Sequence, residues 1–168
     1  MFSANEIAIW FLMKNNAEMR EHEATNDDYE VYEGITHLKL QKLLYYAQGV
    51  FLAMTGKLLF KENIEAWPHG PVVAEVYNRY KTYGRDNISI NVDEHVEETI
   101  RKIESNVEVS NVLNTVYDNF AIYTAWQLRE MSHAKNGPWD KTISNDKKII
   151  EPAEIKQYFE REVVEDDW

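Results

Sequence analysis

Residues 36–56 read Thr36-His37-Leu38-Lys39-Leu40-Gln41-Lys42-Leu43-Leu44-Tyr45-Tyr46-Ala47-Gln48-Gly49-Val50-Phe51-Leu52-Ala53-Met54-Thr55-Gly56. Leu40, Leu43, Leu44, Ala47, Val50, Phe51 and Met54 recur at steps of three and four, the period of one helix face. Thr36 supplies an oxygen for a free N–H at the helix start, and Gly56 tolerates the left-handed backbone that ends a helix. The stretch predicts a buried, central helix and, with it, a mainly α fold.

Upstream, Ser3 and Glu6 have capping-box spacing, in which a hydroxyl and a carboxylate each satisfy an N–H at a helix start. A helix over residues 4–14 follows, with Ile7, Trp10 and Phe11 on one face. Residues 18–33 hold seven acids against Arg20 alone and show no helical period, which predicts a solvated acidic loop. Downstream, residues 57–60 and 65–67 are short and non-helical and are expected to pair as strands flanking residues 61–64. Gly70-Pro71 predicts a helix start, because proline at the first helical position has no N–H to leave unpaired. That helix should carry Val72, Val73, Val76, Tyr77 and Tyr80 inward and stop at Gly84.

Asp93 is expected to cap a helix bearing Val96, Ile100 and Ile103, and another carries Val109, Val112, Leu113, Val116, Tyr117 and Phe120. Thr124 and Gln127 repeat the capping-box spacing before a helix that ends near His133, ahead of Gly137-Pro138. Pro152 opens a last helix striped by Ile155, Tyr158, Phe159 and Val163. The acidic tail, residues 160–168, is expected to fray. The expected architecture is a single compact helical domain over residues 1–168, with six to seven helices and a small β-hairpin element.

The chain has 168 residues, 18 Lys and Arg against 29 Asp and Glu, a net charge of −11, and no cysteine. Without cysteine there is no thiolate nucleophile, zinc ribbon or iron–sulfur ligation, and a reducing cytoplasm is compatible. The apolar run Ile7-Ala8-Ile9-Trp10-Phe11-Leu12-Met13 is too short to span a bilayer, so no membrane association is expected. The acidic excess opposes binding to polyphosphates, so direct nucleic-acid binding is not expected; a partner with a basic working surface suits it better.

Catalytic and metal patterns are sparse. The histidines at 22, 37, 69, 95 and 133 never fall three or four apart, and residues 18–33 lack the alternation and central glycine of a calcium loop. Phosphate-cradling glycine loops and a nucleophile elbow are absent from the sequence. Ser132 and His133 are neighbours on a helix and point about 100° apart, a poor nucleophile–base geometry. No metal, cofactor or enzymatic activity is expected.

Three separated stretches carry more than core: Lys39-Leu40-Gln41-Lys42-Leu43-Leu44-Tyr45-Tyr46-Ala47-Gln48-Gly49; Glu65-Ala66-Trp67-Pro68-His69-Gly70-Pro71-Val72-Val73-Ala74-Glu75-Val76-Tyr77; and Met131-Ser132-His133 through Gly137-Pro138-Trp139. In this combination and order they resemble the SocA-type antitoxin domain, also called the Panacea domain, over residues 36–160. The resemblance implies a mostly helical bacterial or phage domain that neutralises a cognate protein toxin, usually encoded next door, by binding it. It also implies, as an alternative, an adaptor that delivers its client to an ATP-dependent protease, or a phage-borne anti-defence protein. Residues 18–33 exceed the short turn expected there. A separate helix-turn-helix module before Ser3 or after Tyr158 is not expected, which makes operon repression by this chain less expected.

The partner-binding residues expected from these stretches fall into three groups. Lys39 and Lys42, with Tyr45 and Tyr46 a turn further on, form either a cationic and aromatic strip for a partner or a solvated lysine face. Trp67, His69 and the helix start at Pro71 form either a small pocket for an anion or carboxylate, or a buried tryptophan with a capping histidine. Tyr77, Tyr80 and Tyr83 present hydroxyls at an interface or fill the core. His133 and Trp139 bracket the Gly137-Pro138 turn, where a charged histidine at a helix C-terminus gains roughly 0.3–1 kcal/mol without any catalytic role. A small hydrolase using His69 or His133 is the remaining, least supported alternative.

Overall fold

A helix spanning His37–Thr55, here α2, forms the axis of the fold, and every residue on it from Lys39 to Leu52 is buried. Thr36 accepts from the Lys39 N–H at 3.2 Å, and Gly56 closes the helix at φ 72°, as the sequence predicts. A helix buried all round must be surrounded. The computed structural model describes residues 1–25 and 34–164. In chain order these form α1 (Ala4–Thr25), α2, β1 (Ile64–Trp67), β2 (Gly70–Val72), α3 (Ala74–Tyr80), a 3-10 turn (Lys81–Tyr83), α4 (Glu94–Glu104), α5 (Val107–Phe120), α6 (Ala125–Ser132), α7 (Pro138–Ser144), β3 (Ile149–Ile150) and α8 (Pro152–Glu162). α8, α5, α6 and α1 pack around α2, with β2 and α3 closing the remaining side.

The polar side chains of the buried stretch fasten backbone that would otherwise be unpaired. Gln41 donates to the Val73 carbonyl at 3.2 Å and accepts from the Val73 N–H at 2.8 Å, standing in for a neighbouring strand just beyond edge strand β2. Gln48 accepts from the Leu59 N–H at 2.8 Å and donates to the Phe60 carbonyl at 2.9 Å. Gly49 makes room for α8: a Cβ there would stand 2.3 Å from the Phe159 ring. Tyr46 stacks on Phe120 with ring centroids 4.2 Å apart, and Tyr45 meets Phe159 edge-on at 5.2 Å.

Several sequence expectations are corrected. α1 runs on to Thr25, so residues 18–25 are helical; residues 26–33 of the expected acidic loop lie outside the described residues. Tyr117 holds this second half of α1, its hydroxyl accepting from Asn15 at 3.3 Å and donating to Glu18 at 2.9 Å, and strong helix formers around it supply the propensity.

Residues 57–60 are not a strand. β1 instead pairs with β2 through Trp67↔Gly70 across the exposed Pro68-His69 turn, in a sheet of order β2-β1-β3. Pro71 is therefore a strand residue and no helix begins there: an edge strand tolerates its missing N–H as readily as a helix start does, and Gly70 takes φ 115°. α3 begins only at Ala74.

Gly137-Pro138 opens α7 as well as following α6, with proline in its first turn. Residues 160–162 complete α8, and Val163 and Val164 pack against the core; residues 165–168 of the acidic tail lie outside the described residues. The capping boxes at Ser3/Glu6 and Thr124/Gln127 and the Asp93 cap form as expected.

Candidate functional site

Lys39 and Lys42 are buried, at 4% and 0% exposure, so neither the cationic surface strip nor the solvated lysine face exists. α2 is enclosed on all sides, and each ammonium reaches backbone instead. Lys39 donates to the Ala121 carbonyl at 2.7 Å and so holds the turn between α5 and α6. Lys42 donates to the Pro71 carbonyl at 3.2 Å and holds β2. The two motif lysines thus position two surface segments from beneath.

Around the hairpin the second and third sequence motifs converge. The Trp139 indole donates to the Trp67 carbonyl at 2.8 Å, which ties α7 to β1. The Trp67 ring meets Tyr77 at 4.9 Å, Tyr77 meets His37 at 5.7 Å, and His133 meets Trp139 at 3.8 Å between centroids. All five are half-buried. The helix-start pocket expected at Pro71 is absent, because that backbone is strand; His69 caps nothing and sits exposed at the hairpin tip.

Beneath the hairpin lies a polar cluster. A Cβ on Gly70 would stand 3.1 Å from both Lys42 Nζ and Ser132 Oγ, so lysine, serine and hairpin backbone meet at one point. Ser132 Oγ donates to the Arg129 carbonyl at 2.8 Å, and His133 Nδ1 lies 2.6 Å from the same oxygen. A carbonyl only accepts, so Nδ1 carries the proton and cannot serve as a base for Ser132, 3.4 Å away. Burial, reinforced by the Arg129 charge, lowers the Lys42 ammonium from its ordinary 10.5 to about 7. Burial also lowers His37, and Lys42 adds to that.

The structure thus brings together Lys42, Trp67, Tyr77, His133 and Trp139. It leaves Tyr45 and Tyr46 in the core, where burial raises both hydroxyls above their usual range, and Lys39 under the α5–α6 turn. Tyr80 is also core, its ring 6.5 Å from that of the half-buried Tyr83.

Sequence reasoning missed Gln41, Arg129 and, most visibly, Trp126. Trp126 is 63% exposed and Ile122, in the preceding turn, 75%, with the Arg129 guanidinium 4.7 Å from the Trp126 ring. The available signal was position: Trp126 lies two residues before buried Leu128, hence on the opposite face of α6. Among the described residues, no group of three or more His, Asp or Glu is placed to hold a metal ion, and no helix is long and apolar enough to cross a membrane.

No solved structure matches the chain. It is 35% identical over 111 residues to the antitoxin SocA of Caulobacter vibrioides, an alignment covering 63% of this chain and 58% of that protein. The chain therefore spans less than two thirds of that relative's length. The family described as antitoxin SocA-like, Panacea domain, matches over residues 40–140. That span runs from within α2 through the hairpin into α7 and contains the buried Lys42 together with Gly70, Arg129, Ser132 and His133 of the cluster beneath the hairpin, so the chain belongs to the SocA-like Panacea domain family.

Proposed function

We propose that this protein is an antitoxin that neutralises a cognate protein toxin by binding it directly, without catalysis, through the surface that exposes Ile122 and Trp126. The observation that carries this reading is the exposed Trp126 with Arg129 stacked on it. Tryptophan and arginine dominate the few residues that supply most of an interface's binding energy, and a large ring left in water gains most when a partner covers it. Kinship with antitoxin SocA supplies the kind of partner. The buried Lys39 supports the surface mechanically by holding the backbone of the turn that presents Ile122.

The net charge of −11 favours rapid capture of a toxin with a basic working surface, so association should slow as salt rises. The expected setting is the bacterial cytoplasm, with the toxin encoded by the adjacent gene. The test is co-expression with the product of that gene. Wild-type protein should rescue growth, whereas Ile122→Ser/Trp126→Ala should fail to rescue and bind the toxin about 30-fold or more weakly, with unchanged Tm. Full rescue by the double variant overturns this surface. Toxin levels under rescue separate mechanisms: an undiminished toxin supports blocking, and its disappearance supports delivery to an ATP-dependent protease.

A further inference from the structure

Lys42 is a buried cation with no counter-ion among the described residues. Its ammonium has three donors and is given one acceptor, the Pro71 carbonyl at 3.2 Å. The charged group acting on it is another cation, Arg129. Among the described residues no carboxylate forms an ion pair with Lys42, although the chain has 29 acids. Among the described residues the acid paired with this cluster is Glu130, 59% exposed, which accepts from Arg129 Nη1 at 3.0 Å. Arg129 Nε and His133 Nε2 are buried and have no hydrogen-bond partner among the described residues, and neither has Nδ1 of His37, the third basic group near Lys42. Three of the four such orphaned atoms among the described residues therefore belong to basic side chains, two of them at the C-terminal end of α6. Like charges buried together with unused donors are costly unless an anion completes them.

We propose that Lys42, Arg129 and His133 form a binding site for a small oxyanion, a phosphate or carboxylate group, beneath the β1–β2 hairpin and reached past the Arg129 side chain. That side chain is 21% exposed and forms the cluster's outer wall. Lys42 supplies charge from below and Arg129 Nε a directed donor, with the buried, unpartnered His133 Nε2 beside them. The site shares Arg129 with the Trp126 surface, the guanidinium standing 4.7 Å from that ring, and it stands whether or not the partner is a toxin. Glu130 competes for Arg129, while His37 and Ser132 border the site.

Two probes separate the sources of such a group: inorganic phosphate for a free anion, and formate for a carboxylate side chain. Each is added to the full chain against chloride at equal ionic strength. At about tenfold above its Kd, the preferred probe should raise Tm by about 3–6 °C over chloride. The formate increment should be larger near about pH 6 than near about pH 9, because formate keeps its charge while Lys42 loses its proton. Lys42→Met and Arg129→Gln should abolish the increment, whereas Lys141→Gln, at an exposed lysine, should keep it. Should Lys42→Met fail to fold, the wild-type Arg129 Nε–H resonance should shift on titration with the probe. The proposal is overturned by no increment over chloride with either probe, by an increment that survives in Arg129→Gln, or by an unmoved Arg129 resonance.

Discussion

α2 and α6 both carry residues of the motifs that identify the family, and they use polar side chains in opposite ways. On α2 the polar groups of the buried stretch turn inward and bond backbone: Gln41 to Val73, Gln48 to residues 59 and 60, Lys39 to Ala121 and Lys42 to Pro71. On α6, Arg129 stacks over exposed Trp126 and pairs with exposed Glu130. The motif-rich helix is thus the fastener and the plainer helix presents the surface. Dense specific residues mark where irregular backbone must be held, which need not be where a partner touches.

Damage to the fastening helix should fall on stability. Gly49→Val drives a side chain into Phe159, where even a Cβ would stand 2.3 Å away, and should cost about 3 kcal/mol or more, read as loss of cooperative unfolding or a steep drop in Tm. Gln48→Leu leaves the Leu59 N–H and the Phe60 carbonyl buried without partners and should cost about 2–3 kcal/mol in urea unfolding. A loss under about 0.5 kcal/mol for either variant would remove the contrast between the helices.

Lys42 adds a pH signature. Its folded value of about 7 lies below its ordinary 10.5, so between these values the unfolded chain binds more protons and stability must rise with pH. The slope reaches at most about 1.4 kcal/mol per pH unit, with no contribution from this group below or above the window. Lys42→Met should flatten the rise, and an unchanged profile would show that the ammonium is not desolvated. Trp126→Ala should have the smallest stability effect, under about 0.5 kcal/mol, because its ring is already in water. The same residue should dominate partner binding, which inverts the order seen on α2.

The helices were legible wherever local chemistry decides them. Thr36 and Gly56 bound α2, and the Ser3, Asp93 and Thr124 caps open their helices, because a cap is satisfied within one turn of chain. Failures came where a local signal has two solutions. Pro71 suits a helix start or an edge strand, and the choice fell to Gln41 and Lys42, side chains some 30 residues away that bond this edge. The acids after residue 17 looked like a loop until Tyr117, 99 residues on from Glu18, donated to it.

Sequence alone established the helical class, the central helix and the family resemblance, since periodicity, caps and motif order are properties of the chain itself. Which face of a helix meets water depends on what surrounds it. Only the tertiary structure showed that Lys39 and Lys42 are buried, because five helices and strand β2 enclose α2. The same packing leaves Trp126 outside and brings the Arg129 charge to bear on buried Lys42.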